Sequence, residues 1–217
     1  MGVKRFTRRP LRLVMLCGAV ALAMASAVGG ATANELAVNE DDLLITWNPL
    51  RFSMGGQAMN CPIILHGSFH STTMDKSSGS LDGHITQVSI IAASCTSANP
   101  TVLVESLPWH FQYGSFEGEL PEIANVAFRI VGIRAAFDPT GPLPACLWGT
   151  DATDPLVGIA ELDESGNGTV TGFRADETST VDLGGSFLCE IAGTLRFSGF
   201  GSMRAGDDTN PVVITLV

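Results

Sequence analysis

Imidazole both binds metals and exchanges protons near neutral pH, so the histidines are the first residues with chemistry to offer. The 217-residue chain has four, His66, His70, His84 and His110. His66 and His70 lie four apart in a stretch that reads as a strand, which puts both on one face with Ser68 between them. His84 sits near the start of the next strand-like run, and Asp82 just precedes it. If those runs pair as a hairpin, His66, His70 and His84 converge as a metal or acid–base site. Ile64 is in phase with His66 and His70, so the plainer reading is the solvated face of a half-buried strand. His110 stands in Leu107-Pro108-Trp109-His110-Phe111, an apolar run that reads as packing.

Carboxylates are the second candidate. Phe116-Glu117-Gly118-Glu119-Leu120-Pro121-Glu122 spaces its acids as E-x-E-x-x-E. This resembles the E-x-D-x-x-E strand of β-sandwich glycoside hydrolases. The resemblance implies that alternate carboxylates, here Glu117 and Glu119, face a cleft as nucleophile and general acid. Glu119 stands where that family has Asp, and Pro121 would interrupt a strand ladder. Aromatics make up 7% of the chain, with one tyrosine, so platforms for stacking sugars are scarce. A charged edge or turn is the plainer reading. Asp163, Ser165, Asn167 and Gly168 match four positions of an EF-hand loop, but Arg174 occupies the closing bidentate position. No cofactor is expected beyond a weak surface calcium ion in that loop or at Asp207-Asp208. The chain contains no G-x-S-x-G, H-E-x-x-H, G-x-x-x-x-G-K-[ST] or G-x-G-x-x-G motif, and no histidine after Phe111.

The elements that must position these groups follow from the leader, the cysteines and the turn signals. Residues 1–33 read as a signal peptide, with basic residues from Lys4 to Arg12, an apolar stretch from Leu13 to Val28, and small residues at Ala31-Thr32-Ala33. Cleavage near Ala33 makes the protein secreted or held at the cell envelope. Thr7-Arg8-Arg9-Pro10-Leu11 partly matches a twin-arginine export signal. No membrane span is expected after cleavage. Five of the twelve basic residues and none of the 22 acidic ones fall in the first 33 residues. The remainder therefore carries seven basic against 22 acidic residues, a net charge of −15. A surface so acidic repels phosphate backbones, and nucleic acid is excluded as a partner. Four cysteines remain, Cys61, Cys95, Cys146 and Cys189, an even number that suggests two disulfides in an oxidising compartment. Three pairings are open. The sequential one, Cys61–Cys95 with Cys146–Cys189, closes one loop in each half, each worth about 3–4 kcal/mol if unstrained.

Residues 34–42 read as a flexible acidic leader, and 43–217 as a single all-β domain. Short apolar or alternating runs begin at Leu43–Trp47, Ile63–His70 and His84–Ser94 and recur to Val212–Val217, separated by Gly, Pro, Asn, Asp and Ser clusters. No window of a dozen residues in this part keeps a helical apolar period free of Gly or Pro. The expected fold is an antiparallel β-sandwich or closed β-barrel of about 10–12 strands with little helix. The segments Asn60–His70 and Ser106–Tyr113, with their Cys-Pro-initiated strand and Leu-Pro-Trp run, resemble uncharacterised exported β-rich proteins of high-GC Gram-positive bacteria. No activity, cofactor or catalytic residue comes with that resemblance. The expected function is that of a disulfide-stabilised, non-enzymatic domain acting by binding or surface contact, with a small apolar ligand or a cell-envelope component as partner. Trp47, Trp109 and Trp148 would line such a ligand site. A glycosidase-like hydrolase using Glu117 and Glu119, or a metal site around His66 and His70, is the alternative.

Overall fold

Strict alternation of buried and half-buried residues along Leu156–Leu162 shows how most of this chain folds, with one face of each strand turned into a common apolar interior. A computed structural model describes residues 35–54, 56–96, 98–119, 122–139, 146–163, 167–179, 181–184, 194–206 and 209–217. The expected signal peptide, its cleavage site and Cys17 lie outside the described residues. Along the chain the strands are β1 (Glu35–Val38), β2 (Asp42–Met54), β3 (Gln57–Phe69), β4 (Thr73–Asp75), β5 (Leu81–Ile90) and β6 (Ala98–Val102). Next come β7 (Trp109–Glu119), β8 (Glu122–Val131), β9 (Arg134–Pro139), β10 (Cys146–Gly149) and β11 (Leu156–Leu162). The last are β12 (Val170–Ser179), β13 (Val181–Gly184), β14 (Arg196–Ala205), β15 (Asn210–Pro211) and β16 (Ile214–Leu216). Among the described residues there is no α-helix, only two 3-10 turns at Ala92–Ser94 and Val104–Ser106, and so no helix long and apolar enough to cross a membrane.

Eight strands in the order β12-β11-β8-β7-β5-β3-β2-β14 pair antiparallel, and β12 pairs with β14 to close the ring. The fold is therefore a closed β-barrel. The choice between sandwich and barrel, open in the sequence because both share the period of two, is made by this last pairing. In it Phe173 faces Gly201, Arg174 faces Phe200, and Ser179 faces Arg196. Gly201 also pairs with Trp47 of β2, and a Cβ at Gly201 would collide with the carbonyl oxygen of Thr46. The closing strand thus needs a residue without a side chain at that point.

Two small sheets cover the ends of the barrel. The sheet β16-β1-β4 buries Leu36, Val38, Met74 and Ile214 against the end where β2 and β12 begin. Asn39 clasps it, accepting from the Val213 N–H at 2.8 Å and donating to the Pro211 carbonyl at 3.2 Å. Part of the segment read as a flexible leader is therefore β1. Its Leu36 is fully buried, because alternation in Glu35–Val38 gives one apolar face that the sheet encloses. The sheet β13-β10-β9-β6 covers the opposite end, where Phe137 of β9 packs on Phe52 of β2 with ring centroids 5.3 Å apart.

Cys61 and Cys95 form a disulfide with Cα atoms 4.4 Å apart. It holds residues 91–96, the approach to β6, against the start of β3, where Ile91 N–H donates to the Pro62 carbonyl and Thr96 N–H to that of Asn60. Cys146 is disulfide-bonded as well, while Cys189 lies outside the described residues.

Replacing Gly201 by Ala is expected to destabilise the fold by about 1–3 kcal/mol or more, since it pushes a methyl into a strand-pairing distance. Urea unfolding followed by circular dichroism measures this, and an unchanged midpoint would contradict the closure argument. Cys61→Ser with Cys95→Ser, which opens a loop with a sequence separation of 34, is expected to cost about 3–4 kcal/mol in the same assay.

Candidate functional site

Chemistry in a barrel divides by strand parity, since consecutive residues face the interior and the solvent in turn. On the inside, the end covered by β13-β10-β9-β6 holds a cavity of ≈ 40 Å³. The barrel contributes Trp47, Leu50 and Phe52 of β2, Ile63 and Leu65 of β3, Val88 and Ile90 of β5, Trp109 of β7, Leu156 of β11 and Phe197 of β14. The covering sheet and its approach contribute Val102, Ile133, Ala135 and Phe137. All of these side chains are aliphatic or aromatic. Trp47 and Leu50 both face inward because the β2–β3 register shifts between them, at Asn48 and Pro49.

The indole groups differ in their partners. Trp109 Nε1 donates to Ser106 Oγ at 2.9 Å. Trp47 and Trp148 are 1% and 2% exposed, yet neither indole N–H has a hydrogen-bond partner among the described residues. Trp148, on β10, is the cross-strand neighbour of the cavity-lining Ala135. A buried donor left unpaired costs about 1–3 kcal/mol.

On the outside, strands β3, β5 and β7 carry a row of histidines. His84 on β5 is directly opposite Ser68 on β3 and His110 on β7. His70, just past the end of β3, donates its backbone N–H to the Asp82 carbonyl at 2.7 Å. Its Nε2 lies 2.6 Å from His84 Nδ1, so one ring donates to the other. Ring centroids are 4.4 Å apart for His70 and His84 and 5.2 Å apart for His84 and His110. The backbone is shaped around His84. Asp82 and Thr86 are each an extra residue in the β5 register, so a bulge flanks the histidine on either side. Gly67 and Gly83 let β3 and β5 approach so closely that a Cβ on either would collide with the other strand's backbone, at His84 O and Ser68 O.

Asp82 turns inward at its bulge, 6% exposed. Its carboxyl accepts from the Tyr113 backbone N–H at 2.6 Å and from the Ser80 hydroxyl at 3.2 Å. Burial raises its pKa above the ordinary 3.8, outweighing the lowering by these hydrogen bonds; Asp75 adds to the rise and His70 opposes it. Burial likewise lowers the His84 pKa below 6.5, with the charges of His70 and His110 acting in the same direction.

Of the histidines singled out in the sequence, His70 and His84 meet, and His66 stands apart from them, opposite Gln87 and across the Thr86 bulge. His110, read as packing, is exposed and joins the row, while its neighbours Trp109 and Phe111 are the buried ones. The signal was the apolar–polar–apolar triplet itself, which on a strand turns its middle residue outward. Among the described residues no group of three or more His, Cys, Asp or Glu side chains, as they stand, is placed to hold a metal ion. Glu117 is exposed near the end of the β7–β8 hairpin and accepts from Asn125 Nδ2 at 3.0 Å. Gly118 follows it at φ +120°, beside a register shift, and the side chain of Glu119 lies outside the described residues. In the loop considered for calcium, Asn167 Oδ1 accepts from the Thr169 N–H and hydroxyl. Ser165, Asp207 and Asp208 lie outside the described residues.

The chain matches no protein-family model, no curated protein and no solved structure.

The lowered His84 pKa fixes the sign of a pH effect. Just below pH 6.5 the unfolded chain binds a proton at this position that the folded one does not, so stability falls on acidification. Asp82 acts oppositely in more acid solution, adding stability as pH falls from its raised folded value toward 3.8. In buffer with a chelator, the unfolding free energy of the wild type minus that of His84→Gln is expected to decline as pH drops through 6.5 and to stay flat in mildly alkaline solution. Parallel profiles across that range would show that His84 carries no such effect.

Proposed function

We propose that the protein is an exported, non-enzymatic binding domain whose interior receives a small, neutral, largely apolar molecule bearing one hydrogen-bond acceptor. The observation that carries this reading is the wholly apolar cavity lined by Trp47, whose buried indole N–H has no partner among the described residues. Apolar walls supply affinity through buried area; the resting cavity surface is wholly apolar, so a ligand oxygen reaches the desolvated Trp47 donor once the indole turns toward it. The resting cavity of ≈ 40 Å³ is smaller than the roughly 150 Å³ that accommodates benzene in an engineered core. Entry of a ring-sized ligand therefore requires the covering sheet to shift or a lining side chain to turn. The covering sheet suits this, because its strands form their own ladder and can move without breaking the barrel's.

The test compares cyclohexanone with methylcyclohexane, similar in size and differing in the acceptor, by the rise in unfolding midpoint each produces. Both are expected to stabilise the protein, cyclohexanone more. Trp47→Phe is expected to weaken cyclohexanone binding about threefold to tenfold and to leave methylcyclohexane nearly unaffected, as loss of one hydrogen bond predicts. Ala135→Leu, which fills the cavity from the covering sheet, is expected to abolish both. No midpoint shift with either compound, at concentrations near their solubility limits, would end the proposal.

A further inference from the structure

The outer histidine row goes beyond that reading, since it shares no side chain with the cavity. Two imidazoles bound to one tetrahedral zinc, at Zn–N of about 2.0–2.1 Å, hold their nitrogens about 3.3 Å and their ring centroids about 5 Å apart. The centroids here are 4.4 Å apart for His70 and His84 and 5.2 Å apart for His84 and His110. These two neighbouring pairs thus stand near co-ligand spacing, with His84 in the middle of the row and His70 and His110 on either side of it. The facing nitrogens of His70 and His84, at 2.6 Å, need to separate by only about 0.7 Å to admit the ion.

We propose that His70, His84 and His110 form a surface site for a divalent transition metal of the zinc or copper type, the ions that imidazole donors suit. The ion takes the place of the proton now held between His70 Nε2 and His84 Nδ1. In the neutral pair one of these nitrogens carries a hydrogen. On binding, that hydrogen moves to the second nitrogen of the same ring, both facing lone pairs bind the ion, and no proton is released. The exposed His110 side chain turns from the adjacent strand to supply the third nitrogen, and water completes the shell.

Three features mark this as a shaped position. Bulges at Asp82 and Thr86 flank His84, and bulges re-aim side chains beside functional sites. Gly67 and Gly83 draw β3 onto β5 at that level. The backbone bond from His70 to Asp82 fixes where the diagonal ligand starts. His66 is the internal control, on β3 with the same outward face but beyond the Thr86 bulge.

The experiment strips the purified protein with a chelator and titrates it with Zn²⁺ alone, by calorimetry and by NMR of the imidazole resonances. One equivalent is expected to bind at micromolar concentration and to shift the ring signals of His70, His84 and His110 but not of His66. His70→Ala, His84→Ala and His110→Ala are each expected to weaken binding at least tenfold, and His66→Ala by less than twofold, with circular dichroism confirming the fold of each. The NMR shifts test the assignment in the wild type should a variant fail to fold. The proposal is overturned by absence of saturable binding, by a His66 shift equal to that of His84, or by wild-type affinity in any one of the three variants.

Discussion

Closure of the ladder between β12 and β14 is the constraint on which the rest of this structure depends. An open sheet of the same eight strands would leave two unpaired edges and an apolar face in contact with water. Joined, those faces make one interior, in which Trp47 packs on Phe173, and Phe111 stacks on Phe128 and meets Phe69 edge-on. The seam admits little side-chain volume, as Gly201 shows where it faces both Phe173 and Trp47. Once the ring is closed, the apolar surface left to cover lies at its two ends. The sheets β16-β1-β4 and β13-β10-β9-β6 bury it, and the cavity lies where the second of these meets the barrel.

Strand content was readable wherever alternation was clean. Leu156–Leu162 is a strand with the boundaries its pattern predicts, because every second residue reaches the core. The closing strand was hidden by the feature that makes closure work. Arg196–Ala205 contains Gly199 and Gly201, which interrupt the apolar alternation that marks a strand and which the neighbouring backbones require. Pro49 and Pro62 likewise suggest breaks, yet β2 and β3 run through them because the register shifts at Asn48 and Pro49. The largely apolar run Val126–Phe137 is divided by Gly132 at φ +88° into β8 in the barrel and β9 in the end sheet. The barrel takes eight of the sixteen described strands, and the short strands of the end sheets raise the total above the expected 10–12.

Side-chain direction was more legible than side-chain company. His66 and His70 do share an outward face with Ser68 and Ile64, as the period of two requires. Which histidines meet depends on bulges, and a bulge changes register without altering composition. The extra residue at Thr86 offsets the His66 row from the His84 row, and the one at Asp82 turns a carboxylate inward that simple alternation would have kept with the histidines. Disulfide pairing was left open by spacing alone. Cys61–Cys95 became definite only when residues 91–96 were seen to run along the start of β3.

Charge then discriminates among ligands for both faces. From residue 34 onward the chain has seven basic and 22 acidic residues. A field of that sign depletes anions near the surface and enriches cations. A carboxylate-bearing ligand would meet repulsion outside and no cationic side chain in the cavity wall, which accords with the neutral ligand proposed for the interior. The same field favours a divalent cation at the proposed outer site, where imidazole donors carry no further buried charge. Alternation sets the two proposed sites on opposite faces of the wall, with Ile85 and Trp109 inside and His84 and His110 outside on adjacent positions of β5 and β7. They share backbone and no side chains. Any influence of one on the other must travel through that backbone, which the ladder holds at Ile85↔Trp109 and His84↔His110.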